Sequence, residues 1–324
     1  MKWSRMRALC VAVMLFAAGI SAQAAEAAAK QQIAYIAAKS DLPFWKTVAK
    51  GVRSGAAASS YSYLEFDSKS NPQQQLKNAQ DAIAQHVSGI ILSPIDSKSA
   101  VEVAALAQKA KIPLVIAEVG SDSVEYLAYV RSDHFQGAYD LGVILAGAMK
   151  DKGWSAGSFA MVTMPLNRRI GQDRSNGLRD ALKDAGISKE SELHQMQNFS
   201  ADETAQFVKN ILAVTPTLRA LFIQNDQAVP GALQAIKNDK KSGDVLIVSF
   251  DAMPDVADML KYNILLAVAM QQPYLIGVKS AEALIAGLSG NPSAQQILVP
   301  VLVGTSKNIA QIMPIVNKTV FGND

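Results

Sequence analysis

Few residues of this 324-residue chain have the type and spacing that chemistry requires. Gly153-Trp154-Ser155-Ala156-Gly157 fits the G-x-S-x-G nucleophile elbow, which needs a strand before the serine and a helix after it. Here a helical pattern ending near Asp151 comes first and a strand-like run from Ser158 follows, so an ordinary loop is expected. His86, His134 and His194 lack ligand spacing such as i, i+4 and are read as surface or packing residues, with no metal site. The single cysteine, Cys10, falls in the first 24 residues, leaving the rest without a thiolate nucleophile or a disulfide. Neither a G-x-G-x-x-G turn after the first strand nor a G-x-x-x-x-G-K-[ST] phosphate loop is present. What remains is a set of polar side chains just past apolar runs: Glu118, Asn225 and Asp251. Such strand ends are where open α/β sheets bind ligands. Two carboxylates alone do not specify acid/base catalysis, so neither an enzyme nor a cofactor is expected.

The elements that must position these groups alternate. Strand-like runs at 33–38, 61–66, 89–92, 113–117 and 126–130 are interleaved with helical patterns at 44–58, 72–85 and 97–110. Asn71 before Pro72 is a helix-start signal. A second set follows, with helices at 135–150, 172–184, 202–212, 229–237 and 254–261. Its strands fall at 159–163, 193–197, 220–223, 245–250 and 265–270, before a helix at 275–288 and a late strand at 296–303. This alternation implies βαβ units and parallel sheets. The two sets are about equal in length and no Pro/Gly/Ser-rich linker divides them, which implies two lobes in close contact. Run 90–92 ends in Ser93-Pro94 and run 221–223 ends in Gln224-Asn225, a correspondence of architecture between the lobes.

Composition bounds the rest. With 49% hydrophobic and 18% charged residues the chain can fill full cores, which excludes disorder and disulfide-stapled miniature folds. Residues 1–24 read as a signal peptide: Lys2, Arg5 and Arg7, an apolar stretch, then Ala22 and Ala24, with cleavage expected before Ala25. Those three cations belong to the leader, which holds no acid, so the remainder carries 28 residues of each sign. A neutral chain has no global field for nucleic acid. An exported, periplasmic protein is expected.

Within that frame several segments become recognisable. Asp41-Leu42-Pro43-Phe44-Trp45 follows the first strand, and Ser70-Asn71-Pro72-Gln73-Gln74-Gln75 opens the second helix. Gly89-Ile90-Ile91-Leu92-Ser93-Pro94 is followed by Lys111-Ile112-Pro113-Leu114-Val115. Arg174-Ser175-Asn176-Gly177-Leu178 opens a helix and Ile223-Gln224-Asn225-Asp226 closes a strand. Ser249-Phe250-Asp251-Ala252-Met253-Pro254-Asp255 precedes Met270-Gln271-Gln272-Pro273. In order and spacing this resembles the bacterial periplasmic sugar-binding proteins of the ribose/galactose type, nearest to the ribose binders, over about residues 33–307.

The resemblance implies an α/β fold of two Rossmann-like lobes with parallel sheets, joined by a three-crossover hinge: periplasmic binding protein type I. The N-terminal lobe would comprise 25–132 plus about 272–302, and the C-terminal lobe 133–271 plus about 303–324. Ligand would lie between them. On matching positions Phe44 and Trp45 would stack on a sugar ring, Arg174 would donate a forked pair of hydrogen bonds, and Asn225, Asp251 and Gln271 would contact hydroxyls. Glu118-Val119 stands where the family has Asp-Arg, so Glu118 is the first lobe's ligand acid and one forked donor is missing. Ala38 and Leu42 replace small polar groups of the ribose binders, and Lys39 and Phe199 stay open as further members. Glu118 and Asp251 oppose one dependable cation, Arg174, so a small neutral ligand is expected: a sugar, a polyol or a compact metabolite. The implied role is a monomeric solute-binding protein serving an ABC importer. The alternative is a sensor subunit signalling to a membrane histidine kinase or chemoreceptor.

Overall fold

The computed structural model describes residues 31–122 and 125–323; the expected leader at 1–24, with Cys10, lies outside them. The chain begins with β1 (Gln32–Ala37), α1 (Pro43–Ala58), β2 (Ser62–Asp67), α2 (Pro72–Ala84), β3 (Gly89–Leu92), α3 (Ser97–Ala110), β4 (Leu114–Ala117) and β5 (Ala128–Ser132). It then crosses into α4 (His134–Asp151), β6 (Ser158–Thr163), α5 (Arg169–Asp184), β7 (Glu190–Gln195), α6 (Ala201–Val214) and β8 (Leu218–Ile223). A 3₁₀ turn, Asp226–Ala228, leads to α7 (Val229–Asn238), β9 (Leu246–Phe250), α8 (Val256–Lys261) and β10 (Ala267–Met270). The return path is α9 (Pro273–Leu288) and β11 (Gln296–Val299), and a third crossing reaches β12 (Leu302–Thr305) and α10 (Ile309–Thr319).

Two six-stranded sheets result, in the orders β2-β1-β3-β4-β5-β11 and β7-β6-β8-β9-β10-β12. The strand orders of the two sheets correspond. All pairings are parallel except β12, which runs antiparallel to β10. This is the two-lobed α/β architecture that the strand–helix alternation implies, with the three crossovers that the resemblance implies. Helices cover both faces of each sheet, so alternate strand residues are buried on opposite sides: Ile33, Tyr35, Ile91 and Val115 on one face of the first sheet, Ile36, Ile90, Leu92 and Ile116 on the other. Burial on both faces makes the strands read as continuous apolar runs.

Two expectations need correction. The single late strand at 296–303 is two strands in different sheets. Pro300, which has no N–H for a ladder, stands between them where the chain changes lobe. Gln272 Nε2 donates to the Pro300 carbonyl at 2.8 Å and so ties the second crossover to the third. The strand expected at 193–197 is β7, Glu190–Gln195, at the open edge of its sheet. Its polar, part-exposed residues carry no apolar run.

Caps set the helix starts. Asn71 Oδ1 accepts from Gln74 N at 3.1 Å, as its sequence position predicts, and Asp96 and Ser99 form a capping box on α3. Helices α1 and α9 pack at backbone contact: a Cβ on Gly51 would collide with the Tyr274 carbonyl and one on Gly277 with that of Val48. After α10 the tail crosses back, and Lys50 Nζ on α1 donates to the Gly322 carbonyl at 2.6 Å.

Candidate functional site

A cleft of about 590 Å³ opens between the lobes, within the size range of small-molecule sites. All seven residues singled out from the sequence border it: Phe44, Trp45, Glu118, Arg174, Asn225, Asp251 and Gln271. Lys39 and Phe199 border it too, as do the apolar Ala38, Leu42 and Val119. The loop holding Ser155 lies between the end of α4 and the start of β6, in the helix-to-strand context its sequence implied, and does not border the cleft.

Phe44 and Trp45 are held in the first turn of α1, which Pro43 starts. Their rings meet edge to face, with centroids 4.8 Å apart and planes at 87°. Glu118 and Asp251 are structural counterparts, each the first residue past its strand, β4 or β9. Both take left-handed backbone angles, φ 68° and 69°, and both donate a backbone N–H at 2.8 Å to the neighbouring strand, Glu118 to Val130 and Asp251 to Ala269. Left-handed backbone is costly for a residue with a Cβ and clusters at functional sites.

The polar side chains close into a ring across the hinge. Glu118 Oε2 accepts from Ser132 N at 3.0 Å and from Ser132 Oγ at 3.2 Å. The one Ser132 hydroxyl proton is shared between Glu118 Oε2 and Gln271 Oε1, the latter 2.9 Å away, and Gln271 Nε2 donates to Asp251 Oδ1 at 2.6 Å. Arg174 Nη1 donates to Asp251 Oδ2 at 3.1 Å and to the Gln224 carbonyl at 2.5 Å. Arg174 Nε donates to His134 Nδ1 at 3.4 Å, and His134 Nε2 lies 2.8 Å from Glu118 Oε1. The Arg174 guanidinium also lies over Phe250, 3.8 Å from the ring centre. Asn225 uses Oδ1 to cap the 3₁₀ turn through Gln227 N at 3.0 Å, which leaves its amide N–H₂ for other partners.

Electrostatics divide the acids. Burial disfavours charge on Glu118, but the facing His134, the Ser132 N–H and Arg174 outweigh it and hold the carboxyl below its ordinary range. Asp226, which also borders the cleft, goes the other way: burial, then the charge of Asp251, push it up to about 6. Three carboxylates (Glu118, Asp226, Asp251) therefore share the cleft with three cations, Lys39, Arg168 and Arg174.

Sequence reasoning missed Asp226, Arg168, Ser132 and His134. Asp226 was readable as the neighbour of Asn225 at a strand end. His134 was read only as a surface or packing residue, yet it is 1% exposed and stands in the polar ring at the first crossover. No local pattern marks it, because Glu118 and Arg174 lie in other elements.

The model of the periplasmic binding protein domain matches residues 33–292, most of the chain. The chain belongs to the periplasmic binding protein family. It is 26% identical over 273 residues to the ribose import binding protein of Salmonella typhimurium, covering 84% of this chain and 90% of that protein. With the D-apiose import binding protein of Paraburkholderia graminis it shares 30% over 291 residues, covering 87% and 89%. A periplasmic ribose ABC transporter structure from Conexibacter woesei superposes with a TM-score of 0.79 at 21% identity, over 88% of this chain and 95% of that one. That similarity concerns the fold. Against the family pattern, this periplasmic binding protein carries Glu118-Val119 and an apolar Ala38 and Leu42 on the first-lobe side of its cleft.

Proposed function

We propose that this periplasmic binding protein captures one small uncharged ligand, a sugar or polyol, and delivers it to an ABC importer. The observation that carries this reading is the polar ring bordering the cleft beside Phe44 and Trp45. A sugar ring has the same two-sided chemistry, with hydroxyls around its edge and C–H groups on its faces. Phe44 and Trp45 would cover a face of the ring. Arg174, Asn225, Asp251 and Gln271 would bond its hydroxyls, and Glu118 would supply the first lobe's acid. Equal numbers of acids and cations in the cleft favour a neutral ligand, since an added buried charge would lack a partner. The names of the related proteins, ribose import and D-apiose import, favour import over signalling. The protein acts in the periplasm, as a monomer, after loss of residues 1–24. The lobes 25–132 with 272–302 and 133–271 with 303–324 close on the ligand, and no catalysis follows. A thermal-shift screen of the chain from Ala25 against pentoses, hexoses and polyols tests this. A ligand at 100 times its Kd adds about 2.7 kcal/mol of stability, whereas no shift with any of them would overturn the reading.

A further inference from the structure

We propose that Glu118 and His134 are positioning residues, and that the first lobe's acid acts on the ligand only through the Arg174 guanidinium. The proposal rests on the ligand site just described and assigns these two residues a different task within it. Glu118 is 4% exposed; its Oε2 accepts from Ser132, and its Oε1 lies 2.8 Å from His134 Nε2. Its backbone is pinned as well, since its carbonyl accepts from Tyr129 Oη at 2.9 Å and its N–H is bonded to Val130. A carboxylate held this way is turned toward the crossover. Glu118 Oε1 and His134 Nε2 make no hydrogen bond in the described structure and face each other 2.8 Å apart, so each is the nearest group the other can serve.

His134 passes this placement on. Its Nδ1 accepts from Arg174 Nε, which puts the ring proton on Nε2, facing Glu118. Arg174 has five N–H donors in a fixed fork. His134 takes the one on Nε, Gln224 and Asp251 take those on Nη1, and Phe250 fixes the plane from below. Only the Nη2 edge is without a partner among the described residues, on a side chain that borders the cleft. Glu118 lies in the first lobe and His134 at the start of α4 in the second, so the orientation of that edge is set jointly by both lobes. A donor oriented before the ligand arrives loses less freedom on binding. This also explains an acid and a histidine buried at the hinge at a desolvation cost.

Nuclear magnetic resonance of the ligand-free chain from Ala25 reads the placement directly, since it holds only three histidines. The expected result is His134 with its proton on Nε2 and an Arg174 Nε–H signal protected from solvent. Glu118→Gln and His134→Ala should each abolish that protection, and His134→Asn, which restores an acceptor near the Nδ1 position, should recover it over His134→Ala. Titration with D-ribose and D-apiose supplies the binding arm. Glu118→Gln should weaken whichever sugar binds by roughly 10- to 100-fold through the lost placement of Arg174. Unchanged Arg174 Nε–H protection in folded Glu118→Gln, or no recovery in His134→Asn, would overturn the positioning role. A wild-type chain that binds no sugar would overturn the binding proposal and leave the ligand-free signals to decide this one.

Discussion

Asp226 has no ion pair among the described residues, and its pKa of about 6, against an ordinary 3.8, makes it costly when charged. The folded state therefore holds this proton more tightly than the unfolded chain. Its contribution favours folding below pH 4 and is lost as pH rises through 6. Asp226→Asn should stabilise the protein at pH 7 by on the order of 2 kcal/mol, with the gain vanishing near pH 4. Urea unfolding at pH 4, 5.5 and 7 checks this, and a gain independent of pH would refute it. Asp251, unlike Asp226, has side-chain partners among the described residues: its oxygens accept from Arg174 and Gln271. Asp251→Ala leaves Gln271 Nε2 without an acceptor and Arg174 Nη1 with the Gln224 carbonyl alone, and should weaken ligand binding by about 2–5 kcal/mol, read by titration calorimetry. The sequence marked Glu118, Asn225 and Asp251 because apolar strands end abruptly before them. It did not mark His134, whose partners come from 16 residues before it and 40 after it, in separate elements.

At the scale of elements, α1 carries the aromatic pair, and its placement depends on α9. Gly51→Ala or Gly277→Ala puts a methyl group against a carbonyl of the partner helix, so each should destabilise the first lobe by about 1–3 kcal/mol or more. Shifts in melting temperature of the single variants measure this. Gly147→Ala, with open space around its Cβ position, should be neutral or better. The C-terminal tail bears on the same helix through Lys50, and Val320 and Phe321 border the cleft. A chain ending at Thr319 should therefore give a larger ligand-free radius of gyration by X-ray scattering; an unchanged radius would dismiss the tail as a tie between lobes. Buried elements were legible because both faces of each parallel sheet are covered. Edge elements were not: β7 is polar, and the β11–β12 switch at Pro300 reads as one apolar run until the sheets are seen apart.

For the whole molecule, the matched strand orders explain why polar groups recur at equivalent points of the two lobes. Ser93 N donates to Ile36 O and Gln224 N to Val162 O, both at 2.9 Å, where β3 and β8 end at the cleft. Alternation of strands and helices was enough to imply two lobes. The crossovers needed the resemblance, because returning to a lobe after 140 residues leaves no periodic trace. Closure of such lobes should bury Trp45, while Trp154 lies outside the cleft between Lys152 and Arg219. Ligand-induced fluorescence change should vanish in Trp45→Phe and persist in Trp154→Phe. The most direct test is calorimetric titration of the chain from Ala25 with neutral sugars and polyols beside their phosphorylated or carboxylated forms. The predicted result is one-to-one saturation by a neutral member that Arg174→Ala removes. Tighter binding of an anionic member, or saturation that survives Arg174→Ala, would contradict it.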